Sequence, residues 1–192
     1  MLAELNRKSR SYRSFDESKP ITRADLKALV DMARICSCGG NTQALKYFIS
    51  AEKETNDKIF PLTAWAKSLP NFFGPAQGHR PTGYILICAD TDIAPNKGSG
   101  TDVGIAAQTI MLAAAEMGFG GCMLGAFSRE ALAIALELPE HLCPALLLAL
   151  GAPDEKVALV DVADNGSTKY YRDENNVHCV PKRTLAQVLI NE

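Results

Sequence analysis

Apolar residues recur with a clear period along much of the chain, but between 103 and 115 the period vanishes. There Val, Ile, Ala, Met and Leu run together, and only Gln108 and Thr109 break the stretch. A helix apolar on nearly every side is buried on nearly every side. The run is too short for a membrane span, which needs roughly 17 to 25 apolar residues. Thr101 is the predicted cap, and Asp102 sits in the first turn, where its charge suits the helix dipole. The alanines at 106, 107, 113, 114 and 115 admit a second helix at close range, and Gly118 stops the helix. Gly120 and Gly121 then let the backbone turn tightly or lie against a ligand. The pattern reads as a core or subunit-interface helix that delivers a backbone segment to a site. A core helix followed by an ordinary glycine turn fits the same residues.

Elsewhere the pattern predicts shorter elements. Leu2 and Leu5, one turn apart, mark a helix over 2–8, and Phe15 reads as a core anchor. Thr22 and Asp25 form a capping-box-like pair before a helix over 23–35, whose apolar stripe is Leu26, Leu29, Val30 and Ala33. Residues 46–51 and 83–89 read as strands, with 52–58 a polar turn and 59–69 a helix around Trp65. Residues 70–81, rich in Gly and Pro, form a long loop whose Phe72 and Phe73 either cover a pocket or pin the loop to the core. Residues 91–100 form a turn-rich loop, and 120–124 are extended. Ser128 caps a helix over 129–138 that Pro139 ends, and 145–150 is a third buried strand. Residues 154–181 show no period, and 182–190 recover an amphipathic helix through Leu185, Val188 and Leu189. Helices and strands mix without regular alternation, which is the signature of an α+β fold.

The 192 residues suffice for one domain with a sizeable core. A net charge of −2 points to neither nucleic acid nor an anionic membrane as the main partner. The N-terminal MLAELNRKSR has no apolar signal-peptide core. Six irregularly spaced cysteines, with only Cys36 and Cys38 close together, read as reduced thiols of a cytoplasmic protein. Three histidines, His79, His141 and His178, make a histidine-rich metal site unexpected, so no metal is predicted. The motifs G-x-G-x-x-G, G-x-x-x-x-G-K, G-x-S-x-G and H-E-x-x-H are absent.

Candidate chemistry therefore rests on scattered pieces. Arg10 and Arg13, with Ser11 between them, form a compact set of anion donors, although short basic turns are also often simply solvated. Asn41 and Gln43 carry amides that donate and accept at once, which suits the edge of a flat heterocycle or the closing of their own turn. Lys182 and Arg183 place two cations at the start of the predicted last helix, an unfavourable position unless an anion sits there. Together with Gly120, Gly121 and Gly125, these pieces match what one flavin mononucleotide (FMN) requires.

In this order, the motifs RSYRSF at 10–15, CGGNTQALKYFI at 38–49, TDVGIAAQTIMLAAAEMGFGGCMLGAF at 101–127, LALGAP at 148–153 and VPKRTL at 180–185 resemble the flavin-dependent nitroreductase family over nearly the whole chain. The resemblance implies a single FMN-binding domain over 1–192: a central, mostly antiparallel sheet flanked by helices, in an intertwined homodimer. Central helices would pack across the two-fold axis, and the tail 154–192 would wrap the partner. Arg10 and Ser11 would contact the phosphate, and Arg13 the pyrimidine edge, as electrostatic support. Asn41 and Gln43 would reach the ring or ribityl edge. Leu124 would offer its backbone N–H, with Met123 and Gly125 in the same wall, and Lys182 and Arg183 would close over the phosphate. The implied activity is an NAD(P)H-dependent FMN oxidoreductase, using NADH or NADPH and reducing a small acceptor such as a nitroaromatic or quinone by ping-pong kinetics. FMN carries the chemistry, and no catalytic side chain is needed. A flavin store or sensor with little turnover, or a dehalogenase or flavin-breakdown relative, are the alternatives. The chain departs from the family pattern in Ser9 before Arg10, in Cys36 and Ala44 at positions that usually hold proline, and in a short middle section.

Overall fold

The computed structural model describes residues 1–95 and 100–191. Four strands form the central sheet: β1 (Leu45–Ser50), β2 (Gly83–Asp90), β3 (Gly120–Leu124) and β4 (Leu142–Gly151). Their order is β1-β2-β4-β3, with every pair antiparallel. β2 is buried at every position, so its continuous apolar run follows from cover on both faces. Side chains alternate between two cores, as the two-residue period of a strand requires. Ile85, Ile87, Leu148 and Leu150 face α2 (Arg23–Arg34) and α4 (Gly100–Glu116). Tyr84, Leu86, Leu147 and Ala149 face Phe15, Ile59, Trp65 and Leu132 on the other side. Phe15 is fully buried, as its anchoring role requires. The fold is α+β.

α1 (Leu2–Lys8) lies against α4. α2 starts at the Thr22–Asp25 capping box, present in both directions. α4 starts at Gly100, so Thr101 falls inside the first turn and is not the cap. The end of the expected 91–100 loop, residues 96–99, lies outside the described residues. Burial around α4 is also less complete than its composition predicts. Ala106, Ala107, Ile110, Met111 and Ala114 are buried, but Gly104 and Gln108 are exposed, and Ile105, Leu112 and Ala115 are only partly covered.

Two predicted segments exchange character. The polar stretch expected as a turn forms α3 (Lys53–Ile59), inside which buried Asn56 donates to the Thr82 carbonyl at 2.9 Å and accepts from the Ser50 hydroxyl at 2.7 Å. The expected helix over 59–69 is only a 3-10 turn, Phe60–Leu62. Pro61 has no N–H to extend a helix, and Ala64 instead donates to the Ala126 carbonyl at 2.8 Å. Within the long loop, Phe72 packs on the core whereas Phe73 is exposed.

α5 (Arg129–Ala135) ends before the expected 138, because Glu137 takes a φ of 52° and Leu138 folds back to the Ala133 carbonyl. Ser128 holds the capping position without a side-chain bond. β4 begins at Leu142, ahead of the predicted 145, and Pro144 sits where its register against β2 shifts.

The tail carries more order than its pattern reveals. β5 (Val157–Asp161), β6 (Tyr171–Arg172) and β7 (His178–Lys182) form a second sheet in the order β5-β7-β6. β5 and β7 run parallel. The expected final helix is absent: 186–188 form a turn, and Leu185, Val188, Leu189 and Ile190 are exposed.

The glycines after α4 serve packing. A Cβ on Gly120 would lie 2.5 Å from the Tyr12 ring, and one on Gly121 would lie 2.4 Å from the Ala149 carbonyl oxygen. Backbone cannot yield as a flexible side chain can. Gly121→Ala is therefore expected to destabilise the protein by about 2 to 3 kcal/mol, measured as a lowered urea midpoint; an unchanged midpoint would contradict the close approach.

Candidate functional site

The N-terminal motif reaches β3 directly after α1. Ser11 bridges Gly121, and the Tyr12 N–H donates to the Gly121 carbonyl at 2.9 Å. The motif thus docks on the edge of β3 opposite β4. Because backbone groups alternate along a strand, Met123 turns its N–H and C=O to that same edge, while those of Leu124 face Leu147 on β4. The Leu124 side chain is buried beneath.

β7 approaches from the other end of the chain. Its His178 is buried and lies 3.3 Å, Nε2 to NH1, from Arg13. Tyr170 stacks on the His178 ring with centroids 5.3 Å apart, and the Arg13 guanidinium lies 4.8 Å above the Tyr170 ring centre. NH1 of Arg13 also donates to the Ser11 carbonyl at 3.0 Å. Glu155 fixes the backbone here: one oxygen accepts from the Arg13 N–H, and the other pairs with Arg172 at 2.6 Å.

Between these elements lies a cleft of about 280 Å³. Arg10, Ser11, Arg13 and Lys182 line it with Tyr170 and His178, and Gln108 and Met111 of α4 and Met123 of β3 complete the wall. Three cations surround this cleft, and among the described residues no carboxylate lines it. The Nε atoms of Arg10 and Arg13 and Nδ1 of His178 are buried without a hydrogen-bond partner. A buried donor left unpaired costs about 1–3 kcal/mol, so the wall is arranged for an acceptor-rich, anionic ligand.

The other predicted residues lie elsewhere. Arg183 follows β7 as an exposed residue that does not line the cleft, and no helix begins there to supply a dipole. Gly125 is exposed at the end of β3, with open space where a Cβ would point. Asn41 and Gln43 sit on an exposed turn with φ of 52° and 53°. That turn is tied to the start of α4, where Gly39 N–H donates to the Asp102 carboxylate at 2.9 Å. Asp102 and the cleft-lining Gln108 are six residues apart on α4, roughly 9 Å along its axis.

Tyr170, His178, Gln108 and Met111 line the cleft without having been singled out. The signal for His178 was a lone histidine inside the apolar VHCVP run. Asp90, Asp92 and His141 present atoms close enough to share an ion. They lie apart from the cleft, and Asp90 already accepts from the Asp92 N–H at 3.0 Å and faces Lys46 at 3.8 Å.

Comparison with known proteins follows the same lines. Residues 77–152 match the sequence model described as the Nitroreductase family. A solved nitroreductase-family protein of Clostridium difficile 630 superposes with a TM-score of 0.64 at 25% identity, covering 81% of this chain and 86% of that one. The chain is similar to nitroreductase-family proteins over most of its length. A protein of Archaeoglobus fulgidus, assigned as an NADH dehydrogenase/NAD(P)H nitroreductase, is 27% identical over 154 residues, covering 77% of this chain and 83% of its own. An FMN-dependent nitroreductase of Clostridium difficile R20291 shares the fold, with a TM-score of 0.62 at 18% identity over 79% of this chain and 87% of that one. Among the described residues, no helix is long and apolar enough to cross a membrane.

Burial, and then the charge of Arg13, lower the pKa of His178 from 6.5 to about 4. As pH falls, the unfolded chain takes up this proton first. His178 therefore contributes stability that is present above pH 6.5 and lost as pH falls towards about 4. His178→Gln is expected to flatten this part of the pH–stability curve in denaturant titrations; an unaltered slope would contradict a buried, neutral His178.

Proposed function

We propose that the chain is an NAD(P)H-dependent FMN oxidoreductase that reduces a small acceptor such as a nitroaromatic or quinone. The observation that carries this reading is the carboxylate-free cleft in which Arg10 and Arg13 from one end of the chain meet Lys182 from the other. The orphaned Nε atoms of both arginines fit an anionic group with many acceptor oxygens. The names of the Archaeoglobus relative and of the R20291 neighbour support the same donor and cofactor.

In this reading Arg10, Ser11 and Lys182 hold the phosphate of FMN, and Arg13 faces the pyrimidine edge of its ring. Met123 forms the wall on the β3 side. When bound, FMN would supply the redox chemistry that moves two electrons from NADH or NADPH to the acceptor. The chain's own contribution is electrostatic and positional. Arg13, held between Tyr170 and His178, is a fixed positive charge that favours the reduced, more negative ring. His178 is neutral at pH 7 and does not take part of that charge from Arg13.

One chain provides only part of the enclosure. The cleft of about 280 Å³ lies just below the 300–1,000 Å³ of typical ligand pockets. The open face of α4 and the Asn41–Gln43 turn at its start are left for a second copy, so a homodimer would complete the site. The exposed apolar residues after Lys182 are the part of the tail free to reach that copy.

The purified protein is expected to be yellow, to release FMN and not FAD on denaturation, and to bleach anaerobically with NADH or NADPH. Absence of bleaching with either donor would overturn the oxidoreductase reading. Light scattering should give a dimer; a monomer that retains FMN would contradict the shared site. Arg13→Ala should lower the flavin reduction potential by about 30 mV or more, since 30 mV is about 1.4 kcal/mol for a two-electron couple. An unchanged potential would remove Arg13 from its assigned place.

A further inference from the structure

Beyond the Arg13–Tyr170 wall lies a second and larger cavity, of about 940 Å³. Its sides are the loop around 68–79 and the tail segments 154–156 and 169–176. Arg13 and Tyr170 line both this cavity and the smaller cleft, so a ligand here would meet the same guanidinium.

The charge of the cavity is one-sided. It holds two carboxylates, Asp154 and Glu155, against the four cations Arg13, Lys156, Lys169 and Arg172. Asp154 binds His79 Nδ1 at 2.8 Å, and Glu155 binds Arg172 at 2.6 Å as well as the Arg13 backbone N–H. Lys156 and Lys169 line the same space, and among the described residues their ammonium groups form no ion pair. The guanidinium of Arg13 meets a carbonyl oxygen, a neutral imidazole and an aromatic ring, but no carboxylate. A protein of net charge −2 thus gathers unneutralised positive charge in one concavity. Phe72, Tyr170 and Tyr171 supply aromatic surface there, and Asn71, Asn175 and Asn176 supply amides.

We infer that this cavity binds a planar aromatic carboxylate, with the ring against the aromatic wall and the carboxylate towards Lys156 and Lys169. Resting on the oxidoreductase reading, this ligand is the electron acceptor, and the substrate class narrows from nitroaromatics and quinones in general to their anionic members. The binding step itself does not depend on flavin chemistry.

The test is calorimetric titration of the protein as purified with 4-nitrobenzoate and with the uncharged 4-nitrobenzamide, which has nearly the same shape. The carboxylate is expected to bind at least tenfold more tightly at low salt, and the ratio should shrink in about 300 mM NaCl as surface charge is screened. Lys156→Gln combined with Lys169→Gln should bring the ratio close to one while leaving amide affinity and FMN content unchanged. Both lysines are exposed, so the fold should tolerate their replacement. Equal binding of the two probes by the parent protein, or a preference that survives in the double variant, would overturn the inference. A colourless protein that keeps the preference would sustain the cavity assignment and defeat the flavin reading, so the two failures are distinguishable.

Discussion

A buried guanidinium without a carboxylate holds both ends of this molecule together. Arg13 is almost fully covered, and its nearest polar neighbours are a carbonyl oxygen and a neutral histidine. Removing a charge from water without pairing it is costly, and the surroundings reduce that cost only in part. The Tyr170 face contributes a cation–π contact, worth about 2 kcal/mol when desolvated. The backbone N–H of Arg13 is held by Glu155, itself anchored through Arg172. The remaining deficit is what makes the pocket attractive to an anion, and it ties stability to occupancy.

The central sheet makes this arrangement possible without taking part in it. β2 and β4 are covered on both faces, which leaves β3 as an edge whose free side receives the N-terminal motif. Gly120 and Gly121 lack side chains because Tyr12 and the Ala149 carbonyl occupy that space. The glycine-rich segment therefore reaches the site by admitting residues 10–13 alongside it.

Much of this was legible in the sequence. The Thr22–Asp25 box marked the start of α2, the unbroken apolar runs marked β2 and β4, and Gly118 marked the end of α4. Arg10, Ser11, Arg13 and Lys182 were singled out and now share one cleft. What escaped detection depended on partners far away in sequence. α3 has almost no apolar face; its order rests on Asn56 bonding Ser50 and Thr82, and no helical period reveals that. β5 to β7 show no clear period because β5 has no fully buried position, whereas β7 is buried at His178, Cys179 and Pro181 on both of its faces. Asn41 and Gln43 had suitable chemistry, but their turn is tied to the start of α4, away from the cleft within one chain.

The order in which the cleft's parts emerge during synthesis has a consequence for the living cell. Arg13 precedes Tyr170, His178 and Lys182 by 157 residues or more, so it leaves the ribosome well before them. At the roughly 5–20 residues per second of translation, the early arginines wait many seconds for the strand that covers them. The cleft is therefore complete only once the segment through Lys182 has emerged. A stalled or clipped product lacking residues 170–182 would keep most of its core and yet lose one wall of the cleft.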